Sequence, residues 1–564
     1  MPSLADGVLS PDVSPNAQVD EFKDEFSKPN PHAPRELSTL QAVGLIATCT
    51  TAMLLTTANA TAISISLPTI GDDLLIPEYR LQWLISAYSL SSGCLLLFFG
   101  RIADLYGRRN VFLLGVLTLG VFGLGCGFAN DEITMDILRG FQGLGAAACI
   151  PAALGILAHA FPPSRIRSVA FATFAAGAPV GAALGSAIGG VLTQLTEKRW
   201  RSTFWFMTGL CALTIIGGVA SFDPDGPSLE LDRRVDWLGA FLVTAGLVLV
   251  VFALSDGTIA PEGWRTGYII ALLVIGVLLL GAYIAWELYL ERKQDARSTA
   301  WWTPPPLMRV TLWTRARGKL AVTLVLALLE YGSFMSWSYW VQLYYQDYLL
   351  LSPVLTMVRM IPMFVTGVVC NVFVAMFVGR VPIAIILSCG TLLTATASLL
   401  FALIDPAEPY WAFGFPAAVL SVFGADFVFS SGTLFVAKVC LPHEQSVGGA
   451  IFQTMTQLGS AFGLAITTIV YDSQLSKESR KYGVIVNQNG TNAPPAAQLA
   501  SYKGAMWAGF AIGVLGTVLA ALCLRGAGIV GHQKGGDNES AMSGETVRDE
   551  EAQRAERVQS EKKS

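Results

Sequence analysis

The sequence predicts an all-α integral membrane protein with fourteen transmembrane helices in the order six plus two plus six, on three observations. Of its 564 residues, 53% are hydrophobic and only 14% charged, with a mean hydropathy of +0.53, a balance rare in a soluble chain of this size. Apolar runs of about 20 residues, enough to cross about 30 Å of hydrocarbon, recur between Val43 and Leu524. Glycine, proline and charged residues gather in the short breaks between them, where the chain has to turn.

Taken in order, Met1 to Ser38 is rich in Pro, Ser, Asp and Glu and has no apolar period, so residues 1–38 read as a disordered cytosolic tail. The tail lacks the layout of a cleaved signal peptide. Apolar segments near 43–67, 82–100, 111–129, 134–160, 166–192 and 202–222 make an N-terminal six-helix unit over 39–222. Asp223 to Arg234 is the first long polar break. Spans near 236–255 and 266–288 follow, then a basic linker from Glu291 to Lys319 that includes Trp301, Trp302 and Pro304 to Pro306; together these form a two-helix insert and cytosolic linker over 223–319. Six more segments, near 320–344, 354–378, 382–403, 411–437, 446–471 and 504–525, make a C-terminal unit over 320–525. Residues 526–564, with a mixed-charge run from Arg548 to Arg557, read as a second disordered, solvated cytosolic tail.

Lys and Arg in the short loops orient the chain. With a cytosolic amino terminus the inner loops carry Arg101, Arg108, Arg109, Arg165, Arg167, Arg233, Arg234, Arg292, Lys293, Arg297, Arg309, Arg315, Arg317, Lys319, Arg380 and Lys438. The outer loops carry few cations, chiefly Arg80, Lys198, Arg199, Arg201 and Arg265, apart from one long segment, Asp472 to Lys503. That segment holds Asn489-Gly490-Thr491, a glycosylation sequon on the side where modification occurs. Asn59-Ala60-Thr61 lies in a span and Asn538-Glu539-Ser540 in the cytosolic tail, so neither is an acceptor.

Several function classes are excluded. The net charge of −4 sits mostly in tails and loops and carries no nucleic-acid signature. Nine cysteines all fall within or at the ends of apolar runs and read as small core residues, neither disulfides nor metal ligands. An enzyme needs a clustered nucleophile, metal set or cofactor motif, and no H-E-x-x-H, paired C-x-x-C or G-x-S-x-G with triad partners occurs. No cofactor is implied. The chain also lacks a G-x-x-x-x-G-K-[ST] nucleotide loop, so an ion gradient is the expected energy source.

The most specific motif is Gly100-Arg101-Ile102-Ala103-Asp104-Leu105-Tyr106-Gly107-Arg108-Arg109, a turn between the second and third spans. Gly100 lets helix backbones approach, and Gly107 permits a positive φ. Asp104 can face a helix N-terminus or a basic partner, while Arg108 and Arg109 hold the loop on the cytosolic side. The spacing resembles the signature loop of the major facilitator superfamily of secondary transporters, which implies two six-helix bundles around a central cavity that opens alternately to each side. Gly379-Arg380-Val381-Pro382 occupies the corresponding place in the second half.

Three further features fit that resemblance. In the fourth span, Arg139-Gly140-Phe141-Gln142-Gly143 is similar to a family motif that implies a role in substrate or proton coupling for Arg139 and Gln142. A second role open to Arg139 is snorkelling from near the outer end of its helix to the headgroups. In the fifth span Gly177, Gly181, Gly185 and Gly189 recur every fourth residue beside Pro179 and Gly190. This bare face suits backbone-to-backbone packing and resembles the family's antiporter motif, with Ser186 where proline is usual; the motif implies export by exchange. Val235-Asp236-Trp237-Leu238-Gly239 with Gly263-Trp264, Leu441-Pro442-His443-Glu444-Gln445, Gln457 to Gly463, and Ser66 to Gly71 resemble fourteen-span drug:proton antiporters, in particular the fungal aminotriazole-resistance-like branch.

Acidic groups at membrane depth are the candidate proton carriers, and Glu330 and Asp426 qualify; Glu330 lies about 16 Å along its helix from Lys319. Either can carry protons or serve as a buried carboxyl that pins helices. His159 and His443 lie at cytosolic helix ends and read as solvated or capping groups. Many fourteen-span relatives carry an aspartate in the first span, whereas this chain has Asn59, which cannot titrate and is expected to bind substrate by hydrogen bonds. Should Asn59 and Glu330 face one cavity, the first contributes recognition and the second coupling. Tyr331, Trp337, Tyr339, Trp340, Gln342, Tyr344 and Tyr345 are candidates for the cavity lining, with an interfacial aromatic belt as the other reading for Tyr344 and Tyr345.

The expected activity is proton-coupled export of a small organic compound, a xenobiotic or secondary metabolite, by alternating access, with Gly100, Asp104, Gly107, Arg108 and Arg109 as the conformational latch of the cytosolic side. The expected partners are that small-molecule substrate, protons and the lipid bilayer, with no nucleic acid, in a chain acting as a monomer in the plasma membrane or a vacuolar membrane. Proton-driven uptake of a nutrient or metal chelate is the rival within transport. A non-transporting nutrient sensor is the rival from another class, and the short charged tails speak against it. The identity of the substrate is not legible in such a scaffold.

Overall fold

The apolar runs form helices almost throughout the computed structural model, which describes residues 38–76, 83–162, 164–225, 234–257, 260, 262–295, 300, 302–351, 353–441, 444–485 and 493–530. The sequon at Asn489, His443 and nearly all of both tails lie outside the described residues. The first set of helices is α1 (Thr39–Leu74), α2 (Trp83–Cys94), α3 (Leu96–Tyr106), α4 (Arg108–Cys126), α5 (Glu132–Ala160), α6 (Arg165–Leu195) and α7 (Trp200–Ser221). The insert contributes α8 (Trp237–Asp256) and α9 (Gly267–Asp295). The second set is α10 (Lys319–Leu343), α11 (Pro353–Phe377), α12 (Ile383–Ala402), α13 (Tyr410–Val439), α14 (Gln445–Lys481) and α15 (Pro495–Cys523).

Side-chain caps mark several starts. Ser38 and Gln41 close a capping box on α1. Asp131 accepts from the Thr134 amide at the start of α5, and that hydrogen bond holds its carboxyl below the usual range. Ser164 and Asp236 cap α6 and α8 in the same way.

Among the described residues, twelve helices are long and apolar enough to cross a membrane, and α2 with α3, bent by 47°, makes a thirteenth. The remaining long helix, α14, falls short of that apolarity although it runs alongside α10 and α15. Helices overrun several expected ends. The turn expected over residues 100–109 is helical except at Gly107, so one residue separates α3 from α4. The segment 472–503, expected as a loop, is helical up to Lys481 and again from Pro495.

The helix pairings of the first set recur in the second. α1 packs on α6 and α7, α4 on α5 and α7, and α2 on α5; correspondingly α10 packs on α14 and α15, α12 on α13 and α15, and α11 on α13. The two halves meet where α6 touches α11 and α13, and where α14 touches α2, α3 and α5. All nine cysteines are free thiols and seven are buried. Cys389 and Cys523 are exposed, which corrects the expectation that all nine are core residues.

Candidate functional site

The Gly100 motif forms a contact between the halves. Gly100 lies so close to α14 that a Cβ there would meet the Ala450 Cβ at 2.8 Å and the Ser446 carbonyl oxygen at 3.0 Å. This lets the Asp104 carboxylate, wholly buried, reach the free amides of the first turn of α14: Ser446 N donates at 3.4 Å and Val447 N at 3.1 Å. Anions are favoured at such a helix start by its dipole and unpaired N–H groups. Arg108 completes the contact, donating to Asp104 Oδ1 at 2.8 and 3.0 Å and to Ser446 Oγ at 3.2 Å. Both partners anticipated for Asp104, a helix N-terminus and a cation, are present at once.

Gly107 has φ +109°, as its place in the turn requires, and Asp225 fills the space a side chain there would occupy. The Asp225 carboxylate accepts from the Arg109 and Asn110 amides at 3.0 Å each, capping α4. Nearby, Arg167 at the start of α6 donates to the Ala437 carbonyl at 2.8 Å, a second tie between the halves at the same end.

In the first half, Arg139 is fully buried, which excludes snorkelling. Its Nε donates to the Leu84 carbonyl at 2.9 Å and its Nη1 to Gln142 Oε1 at 2.6 Å. Gln142 Nε2 passes the chain on to Asn59 Oδ1 at 3.0 Å, and Asn59 Nδ2 donates to the Leu55 carbonyl at 2.9 Å. The guanidinium also sits 4.4 Å from the centroid of the Tyr88 ring. Arg139, Gln142 and Asn59 thus form one network across α1, α2 and α5, while Arg139 Nη2 has no hydrogen-bond partner among the described residues.

In the second half the two acidic candidates lie on different sides of α13. Glu330, on α10, is fully buried against Gly424 and Thr394. The Thr394 hydroxyl already donates to the Ser421 carbonyl at 2.7 Å, and neither Glu330 oxygen has a hydrogen-bond partner among the described residues. Asp426, two residues beyond Gly424, projects from α13 toward α11 and the other half. Its Oδ1 accepts from Asn371 Nδ2 at 2.9 Å, and Ser430 Oγ donates to Asn371 Oδ1. Its Oδ2 has no hydrogen-bond partner among the described residues and lies over Gly367, as does Pro179 of α6. Asp426 therefore sits at the seam, with Phe174 and Phe429 stacked across it at a ring separation of 6.4 Å. Asn59 and Glu330 belong to different halves and have separate neighbours, Gln142 for the first and Gly424 with Thr394 for the second.

A profile of the Major Facilitator Superfamily matches residues 49–236 and 228–464. The chain belongs to this superfamily. It is 27% identical to "MFS-type transporter 1" of Pyricularia oryzae, over 89% of this chain and 87% of that protein. It is 32% identical to the puromycin resistance protein pur8 of Streptomyces alboniger, over 74% and 80% respectively. It is 25% identical to the efflux pump terJ of Aspergillus terreus, over 80% and 82%. The human organic anion transporter MFSD10 shares the fold at a TM-score of 0.59 and 15% identity, covering 85% of this chain and 99% of that one. The protein is accordingly a multi-pass membrane transporter and not an enzyme.

Other residues of this facilitator fall into place as packing. Gly177, Gly181, Gly185 and Gly189 lie against the α1 backbone at Thr50, Leu54, Ala58 and Ala62. Sequence reasoning missed the counterpart in the second half, where Gly459 and Gly463 of α14 lie against Leu328 and Gly332 of α10; their spacing of four was the available signal. The aromatic set on α10 does not line one cavity. Trp337 packs edge-on to Phe401, Trp340 Nε1 donates to Thr467 Oγ1 at 2.9 Å, and Tyr339 and Gln342 are exposed. Tyr344 and Tyr345 are each 2% exposed, in a π-turn beside Tyr502 and Arg359, which overturns the belt reading for both. His159 is exposed, as a solvated group should be. Asp225 and Arg167 were also missed as contact residues; both act across more than 100 positions of chain, where spacing gives no signal.

Proposed function

We propose that this facilitator is a proton-coupled exporter of small organic compounds that works by alternating access. The observation that carries the reading is Asp426: a buried carboxylate with an unbonded oxygen, at the contact of two halves that are latched together at one end. Such a group exchanges a proton when the seam opens and loses its water when the seam closes. The Asp104 contact is the latch of the cytosolic side. Gly100, Gly107, Arg108 and Arg109 shape it, while Asn59, Arg139 and Gln142 form the polar site of the first half. Glu330, turned into its own half, is the secondary proton candidate.

The reading includes a fourteenth span in α14, a cytosolic amino terminus, the six-two-six division, a monomer, and residence in the plasma membrane or a vacuolar membrane. Kinship to a puromycin resistance protein and to an efflux pump supports the export direction and makes puromycin the first compound to try. The reading also places the chain in the fungal aminotriazole-resistance-like branch.

The test is reconstitution in proteoliposomes with an entrapped pH dye and a panel of organic compounds beginning with puromycin. Substrate addition should move protons in the opposite sense, and Asp426→Asn should stop proton movement while substrate still binds. Substrate flux indifferent to a pH gradient, or unaltered coupling in D426N, would sink the proposal.

A further inference from the structure

The insert ends in a segment that grips the latch from a second side. Glu287 of α9, fully buried, accepts from the Leu307 amide at 3.3 Å. Glu291 accepts from the Val310 amide at 3.2 Å, from the Thr311 amide at 3.4 Å and from the Thr311 hydroxyl. Arg234, just before α8, donates to the carbonyls of Ala300 at 2.8 Å and Thr303 at 3.1 Å. Residues 302–318 are thereby tied along the insert by their own backbone.

At its far end the segment reaches α14. Arg315 binds Glu444 through both terminal nitrogens, at 2.5 and 3.2 Å, a fork geometry that fixes direction as well as charge. Glu444 immediately precedes α14, so the clasp and Asp104 hold the same helix start from two sides. Arg101, Leu307, Leu312 and Val447 line the narrow cleft between them.

Two further observations make this more than a surface ion pair. The three residues that join Arg315 to α10 are all left-handed: Ala316, Arg317 and Gly318 have φ of +51°, +58° and +77°. Side-chain-bearing residues hold that conformation only where their surroundings impose it. The insert also straddles the seam. α8 touches the first half through Phe252 against Trp83 and Trp237 against Phe98, at ring separations of 5.3 and 5.8 Å, and the second half through Val250 and Leu254 near Ala465. Parting α14 from α3 therefore requires the segment to release Glu444 or to drag the insert with it.

We propose that residues 302–318 are a strap, anchored by the insert and clasped by Arg315 to Glu444, that holds the latch end shut and stores left-handed backbone strain released on opening. This rests on the alternating-access reading above. Arg315 and Glu444 are positioning residues: they set the helix start that Asp104 binds.

Cys440, buried against Gly448 in the first turn of α14, supplies the reporter. In the full-length protein with the other eight cysteines replaced, its labelling by a membrane-impermeant maleimide is timed in vesicles of both orientations. Arg315→Gln and Glu444→Gln should each speed labelling several-fold from one side only, as should Asp104→Asn. The charge-swapped pair R315E/E444R should label more slowly than E444Q yet faster than the parent, because Arg309 also lies 4.0 Å from Glu444. The double variant A316G/R317G, which keeps the clasp and removes the strain, should label more slowly than the parent. Parent-rate labelling in R315Q and E444Q alongside fast labelling in D104N overturns the strap and leaves the latch standing. Parent-rate labelling in D104N overturns the latch, and the strap with it.

Discussion

Arg139 illustrates how single residues are placed in this molecule. A guanidinium with no solvent exposure is tolerable only when hydrogen bonds and a ring face replace its water, and Leu84, Gln142 and Tyr88 do so. Gln142 is the joint, because it accepts from the arginine and donates to Asn59. Gln142→Leu strands a buried donor on one side and a buried acceptor on the other, at a cost of about 1–3 kcal/mol for each. Thermal unfolding in detergent should show that loss, and Gln142→Glu, which pairs the guanidinium directly, should keep more stability than the leucine variant. Melting of the leucine variant at the parent temperature would show that the network contributes nothing. Asp225 offers a second check at this scale: Asp225→Ala removes the cap of α4 and should destabilise by roughly 0.5–2 kcal/mol, with Asp225→Asn between it and the parent.

At the scale of elements, the α1–α6 and α10–α14 contacts depend on absent side chains. A Cβ at Gly189 would stand 2.6 Å from the Ala62 carbonyl oxygen, and main chain cannot shift as a side-chain tip can. Gly189→Val should therefore abolish monodisperse protein after detergent extraction. Gly209→Ala, where nothing lies within 4 Å, should leave the elution profile intact. These helices were legible in the sequence because apolarity and a four-residue glycine period are local properties. Their joints were less so. The turn at Gly107 shrank to one residue because Asp225, 118 positions later, supplies the cap that lets α4 start at once. The 47° bend between Cys94 and Leu96 has no proline to announce it. Glu330 and Asp426 were recognised from their depth alone, but which one faces the seam depends on the rotation of α10 and α13, and only packing sets that.

For the whole molecule, the proposed transport cycle requires one half to move against the other. Gly93 of α2 and Gln457 of α14 approach across the seam, with a Cβ at the first standing 3.4 Å from that of the second, close to the Cβ separation of a disulfide, about 3.5–4.5 Å. The variant G93C/Q457C in a cysteine-free background should lose transport on oxidation and regain it with reductant. Full activity in the crosslinked form would mean that the halves do not part there.

The modest apolarity of α14 reaches beyond the finished fold to its assembly. Its inward faces carry Gln445, Ser446, Gln453, Thr454, Thr456 and Thr467, each buried only because neighbouring helices stand against it. A nascent segment so polar gains little by leaving the translocon for lipid on its own. If α14 is the fourteenth span proposed above, it is expected to wait in the channel during synthesis for company from α10 and α15, which makes α15 a condition for integrating the helix before it.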